Sequence, residues 1–149
     1  MTASHSATPA PHDLAGSWQL VRFVYCWPDG RELAPLGDAA GQLCYLLDAD
    51  GEPGRMAVQI VARDRPPFDM ASEASLAAHF RSGFAYAGQW ALEEDQVHHD
   101  VDLASLACWE GARLSRTVRL QGGRLTLTTD QPSPQRPEGG YVTLLEWRR

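Results

Sequence analysis

Cysteine is scarce: Cys26, Cys44 and Cys108 are odd in number and fall at no metal-binding spacing. That argues against a disulfide framework or a zinc site and suits a reducing cytoplasm, where three small hydrophobes are favoured over a catalytic thiol. Positive charge is also short, with 13 Lys and Arg against 19 Asp and Glu, a net charge of −6 and a pI near 5.2. Phosphates call for clustered cations, so neither nucleic acid nor an anionic membrane surface is expected as a partner. No apolar run approaches the length of a membrane span. The stretch Met1 to Pro11 is rich in Ala, Ser, Thr and Pro but lacks the basic start and apolar segment of a secretory signal. Residues 1–12 are therefore expected to be a disordered tail and the location cytoplasmic.

What remains is enough for one domain, residues 13–149, in a chain of 149 residues that is 44% hydrophobic. Gln19 to Tyr25 is a β-branched and aromatic run expected of a strand, and Pro28-Asp29-Gly30 supplies a turn. Strands are expected over Gln42 to Leu47 and Arg55 to Val61, joined by the polar turn Asp48 to Gly54, and again at Tyr86 to Leu92. After Pro66-Pro67, Ser72 caps the one good helix signal, in which Leu76, Phe80 and Phe84 make a narrow apolar stripe. Arg113 to Leu120 and Arg124 to Thr129 flank a Gln121-Gly122-Gly123 turn, a strong hairpin signal. Gln131 to Glu138 is expected to be a surface loop, and Gly140 to Trp147 the last strand. About eight strands joined mostly by short turns form an antiparallel meander, and closing it into a barrel hides both edges.

The stretch Gln96 to Ser105 alternates apolar and polar residues with period two. Val97, His99, Val101 and Leu103 are expected on one face, with His98, Asp100 and Asp102 on the other. If the apolar face looks inward, His99 is an imidazole among aliphatic side chains, and His98 is solvated.

Gly16-Ser17-Trp18 resembles the Gly-x-Trp signature of lipocalins. Together with Pro35-Leu36-Gly37, Gly41 to Tyr45, Tyr86 to Trp90, Val97 to Val101, Arg124 to Leu127 and Leu145-Glu146-Trp147, it is similar in order to the bacterial lipocalin-like domain family. The resemblance covers nearly all of the chain after the tail. It implies an all-β fold, an antiparallel eight-stranded lipocalin-like barrel with one short helix and an internal cavity. The family includes proteins found beside bacterial natural-product pathways, where related small barrels serve as cofactor-free cyclases or isomerases. Unlike secreted lipocalins, this sequence has no disulfide pair and no recognised receptor-binding motif.

His99 leads the candidate site residues, because imidazole titrates near neutral pH and can move a proton in either direction. The alternative is a histidine with both nitrogens satisfied in a packed core. Arg116 shares a face with Leu114, Val118 and Leu120. An inward guanidinium could bind a carboxylate or enolate, although a structural pair with an acid, or stacking on Trp18 at the barrel end, is favoured. Tyr45, Tyr86 and Trp90 are pocket-lining candidates, with core favoured for Trp90. Arg22 lies between Leu20 and Val24, but Val21, Phe23 and Tyr25 claim the opposite face as strongly, so its orientation is open. His98 and His99 point to opposite faces and cannot readily share a metal, so no metal is expected. A haem would need one axial His, from His99 or His79; no cofactor is expected.

The leading reading is a cofactor-independent cyclase or isomerase acting on a polyketide-like natural-product intermediate in the cavity. His99 would transfer a proton, Arg116 would stabilise negative charge, and Tyr45 and Tyr86 would donate hydrogen bonds. The competing reading is a non-catalytic carrier or sequestering protein for a small hydrophobic ligand. A third is a filled barrel, plugged by Trp18, Trp90 and Trp147, used as an interaction module. A monomer or homodimer is expected. The loop from Pro66 to Met70 and the helix after it could form a lid over the barrel mouth.

Overall fold

Period-two alternation interrupted by turn chemistry produces strands that pair with their neighbours in the chain. The computed structural model describes residues 7–129 and 140–149; the loop expected at 131–138 and the first six residues of the expected tail lie outside the described residues. A short helix α1 (Pro11–Leu14) leads into β1 (Gly16–Cys26), β2 (Glu32–Leu33), β3 (Ala39–Leu47) and β4 (Pro53–Ala62). Helix α2 (Glu73–Arg81) separates these from β5 (Gly83–Glu93), β6 (Gln96–Ala104), β7 (Arg113–Gln121), β8 (Arg124–Thr128) and β9 (Val142–Arg148). Every pairing is antiparallel, and β9 returns to pair with β1 from Gln19 to Cys26. The result is a closed eight-stranded barrel of β1 and β3 to β9, with β2 added at the free edge of β1. Pairing of β9 with β1 closes the ring and covers the edges that an open meander would leave at its two ends.

Short turns gather at one end of the barrel and long connections at the other. Gly122 and Gly123 both have positive φ, 57° and 76°, as a two-residue hairpin turn requires. This short-turn end is plugged. Leu14 is fully buried, its carbonyl accepts a 2.8 Å hydrogen bond from Trp18 Nε1, and the Arg149 guanidinium lies 4.2 Å from the Trp18 ring centroid. The first helix thus starts at Pro11, two residues ahead of the expected start of the domain, and its Leu14 caps the core. The cation stacked on Trp18 is Arg149 rather than Arg116.

Of three register shifts in the ladders, one lies between Tyr45 and Leu47 in β3 and the other two set which way the candidate residues face. In β1 the register shifts between Leu20 and Arg22, so Trp18 and Leu20 face the interior before the bulge and Phe23 and Tyr25 after it. One extra residue moves a strand's side chains to the other face. Arg22 consequently points outward, paired with Glu32 at 3.1 Å and Glu146 at 3.7 Å, and does not line a pocket. The second bulge lies between β5 and β6: Ala87 pairs with Leu103 and Gly88 with Val101, leaving Asp102 unmatched. Val97, His99 and Val101 face inward as the alternation predicts, but Leu103 turns out and is 64% exposed. The outer residues Asp100 and Asp102 pair with Arg113 and Arg55. His98 is not solvated: it is 8% exposed, held 2.7 Å from Ser115 Oγ on one side and 3.4 Å from Glu93 on the other.

Ser72 caps α2, its hydroxyl accepting from the Ser75 amide. The helix buries no side chain; it stands beside the long-connection end, where Phe80 and Arg81 reach the cavity wall. Among the described residues no helix is long and apolar enough to cross a membrane.

Candidate functional site

A cavity of about 1120 Å3 occupies the barrel from its middle to the long-connection end. Its apolar wall includes Phe23, Leu43, Ile60, Phe84, Leu127 and Leu145, contributed by six different strands. Small-ligand sites are commonly concave, largely apolar and supplied with a few placed polar groups. This opening counts against the filled-barrel reading: Trp18, Trp90 and Trp147 all belong to the buried core, and Trp147 also forms part of the cavity wall.

His99 is 2% exposed yet lies on that wall. Its pairing with Trp90 across β5 and Leu114 across β7 fixes it mid-barrel. The Tyr45 hydroxyl is 2.7 Å from Nε2 and the Tyr86 hydroxyl 2.8 Å from Nδ1, so both ring nitrogens are occupied. Neither is open to an iron, which removes His99 as an axial haem ligand. Tyr45 comes from the plugged side and Tyr86 from the mouth side, so the three groups form a relay along the barrel axis.

Burial pushes the His99 pKa down to about 3; the Arg116 guanidinium adds to this, while Asp100 opposes it. The imidazole is therefore neutral near pH 7 and carries one proton. Tyr45 settles which nitrogen holds it. Among the described residues its hydroxyl has no other hydrogen-bond partner. With Nε2 protonated, the Tyr45 proton would be buried without an acceptor, at a cost of about 1–3 kcal/mol. With Nδ1 protonated, Tyr45 donates to Nε2 and Nδ1–H donates to the Tyr86 oxygen. The proton left over is then that of Tyr86, which lines the cavity. Burial raises the pKa of both phenols and Arg116 pulls the other way, so both remain protonated at neutral pH.

Arg116 faces inward on β7, opposite Val97, and lies on the wall. Its Nη1 donates to the Ser115 carbonyl at 3.0 Å, and among the described residues no carboxylate lies within ion-pair distance of it. No described residue therefore supplies the structural pair with an internal acid. Tyr45 and Trp90 stand behind His99 and do not reach the wall: their rings are 4.7 Å apart, and Trp90 Nε1 donates to the Leu46 carbonyl at 2.8 Å. Of the six candidates, His99, Arg116 and Tyr86 meet at the cavity, Tyr45 and Trp90 support them, and Arg22 is elsewhere.

Sequence reasoning missed the mouth. Tyr25, Leu36, Trp109 and Tyr141 line it beside Phe80 and Arg81. Tyr25 was hidden by the β1 bulge, while Trp109 sits in a single 3-10 turn (Ala107–Trp109) with no periodicity to give it a face. Its ring meets Phe84 edge-on at 5.3 Å and Tyr86 at 5.8 Å. Among the described residues no cluster of three His, Cys, Asp or Glu could hold a metal, and all three cysteines are free.

A family model described as a lipocalin-like domain matches residues 15–149. No curated protein and no solved structure matches the chain.

Proposed function

This chain belongs to the lipocalin-like domain family, and from that premise we propose that its barrel holds one small, mainly apolar compound and donates the Tyr86 proton to an oxygen on it. The supporting observation is an open cavity whose wall carries a hydroxyl oriented from behind by His99 and Tyr45. An apolar body gains from leaving water in proportion to the area buried, while one placed donor sets its orientation. Binding leads this reading because His99, with both nitrogens engaged and its pKa depressed, is a poor free base.

A second reading, a cofactor-independent cyclase or isomerase acting on a polyketide-like intermediate, is favoured by the same relay. A phenol donating to a carbonyl draws charge onto its oxygen, and Arg116 would stabilise an enolate there. The barrel wall would hold a flexible chain in a reactive conformer, which alone can supply much of a rate. Proton transfer would pass through Tyr86, with His99 acting as a positioning residue.

Mass spectrometry of compounds that copurify with the chain, followed by incubation of wild type and Tyr86→Phe with the compound found or its precursor, tests both readings. Loss of one neutral hydrogen bond should weaken binding roughly three- to tenfold. Equal affinity of the two proteins would remove Tyr86 from the site. Product formed by wild type and lost in the variant would establish turnover, whereas its absence in both would leave a carrier.

A further inference from the structure

The chain carries more acids than bases by six charges, yet among the described residues not one Asp or Glu lines the cavity. Three arginines do: Arg81, Arg113 and Arg116. Arg113 is neutralised by Asp100 at 2.7 Å. Among the described residues Arg116 has only its neighbour's carbonyl, and Arg81, at the mouth, has no ion pair. Outside the cavity Arg22, Arg55 and Arg63 face carboxylates, while Arg119 and Arg124 have no ion pair among the described residues but are exposed and keep their hydration, which a half-buried Arg116 does not. A half-buried guanidinium loses hydration and recovers it only from an anion or several acceptors. The neighbouring polar groups deepen the asymmetry: the proton left over from the Tyr45–His99–Tyr86 relay is a donor, and His99 has no free lone pair to offer.

We infer that the occupant of the barrel is an amphipathic anion, an apolar body bearing one carboxylate, with the carboxylate held by Arg116 and Tyr86 and the apolar part lying against Phe84, Leu127 and Leu145. This rests on the barrel cavity being the binding site and adds the charge of what it binds. A neutral apolar compound would leave Arg116 without a counter-charge in a low-dielectric wall. A cation would be repelled there. Arg81 at the mouth gives an incoming anion a first positive contact before it reaches Arg116, which favours capture from solution.

The test uses the whole chain and four probes. Nile red, a neutral dye, reports occupancy of the cavity; decanoate, 1-decanol and methyl decanoate then compete for it at pH 7.5. Decanoate is expected to displace the dye at least tenfold more effectively than the alcohol or the ester, the preference given by a charge-assisted hydrogen bond of about 1.5 kcal/mol or more. Arg116→Gln, measured against its own nile red affinity, should lose the preference for decanoate over the alcohol and the ester. Arg116→Lys should keep part of it. Circular dichroism and retained dye binding verify that each variant folds. Equal displacement by acid, alcohol and ester would overturn the inference while leaving the cavity as a neutral ligand site. Failure of the dye and all three competitors to enter would overturn the cavity reading, and this inference with it. A decanoate preference that survives Arg116→Gln would overturn the assignment to Arg116.

Discussion

A single histidine illustrates how burial changes chemistry. Alternation along β6 places His99 inside, but a histidine in water titrates at 6.5 and this one at about 3. The unfolded chain therefore takes up a proton between those values that the folded chain refuses. Its contribution to stability is fully present above pH 6.5 and falls as acid is added toward pH 3, on the order of 4 kcal/mol over the whole window. Urea unfolding should lose roughly 2 to 3 kcal/mol between pH 7 and pH 4.5 in wild type, and His99→Gln should show a much flatter profile over the same range. A wild-type midpoint that does not move would mean that His99 is open to water. Asp100 and Asp102, whose carboxyls are held below the usual range by Arg113 and Arg55, act in a separate window, stabilising above their ordinary pKa and losing that only in stronger acid. The inward placement of His99 and Arg116 was legible from period two alone. Their partners were not: Tyr45 is 54 residues from His99 and Tyr86 is 13, and only barrel closure brings the three together.

At the scale of the element, bulges decide what a strand presents. The β6 bulge brings the backbone of Asp100 so close to Gly88 that a Cβ on that glycine would lie 1.9 Å from the Asp100 carbonyl oxygen. Gly88 sits between Tyr86 and Trp90, so the same close approach sets the height at which Tyr86 meets His99. Gly88→Ala should cost about 3 kcal/mol or more through strand displacement. It should also disturb the Tyr86–His99 contact, seen as a lowered melting temperature together with reduced dye binding in the surviving folded protein. A variant as stable as wild type would show that the bulge relaxes freely. The turn-bounded strands, the Gly122-Gly123 hairpin and the capped α2 were all readable from local chemistry. The bulges were not, because nothing in Leu20-Val21-Arg22 or Val101-Asp102-Leu103 differs from an unbroken strand until its neighbours are in place. Arg22 and Leu103 were misplaced, or left undecided, for that one reason.

For the whole molecule, the barrel is sealed at one end and open at the other. Leu14, Trp18 and Arg149 join the two chain ends of the described fold across the sealed end, with Arg149 Nη1 donating to the Ala15 carbonyl at 3.0 Å. Leu14→Ala leaves the Trp18 hydrogen bond to the backbone intact but opens a void beneath the indole. A loss of about 2–4 kcal/mol is expected, measured by urea unfolding, with a red shift of tryptophan emission as water reaches the ring. No change in either would mean that α1 contributes little to the seal. At the open end α2 buries nothing, and Phe80, 56% exposed, shares the mouth with Arg81.

The sequence by itself determined the class of fold, the order of the eight barrel strands, helix α2 and the inward residues His99 and Arg116, because alternation, turn residues and caps act over a few positions. Tertiary structure decided the rest: which way Arg22 and Leu103 point, that Arg149 rather than Arg116 stacks on Trp18, that the barrel interior is open, and that His99 is a neutral link between two tyrosines. Each of these depends on contacts between residues far apart in the chain, and such contacts exist only once the barrel has closed.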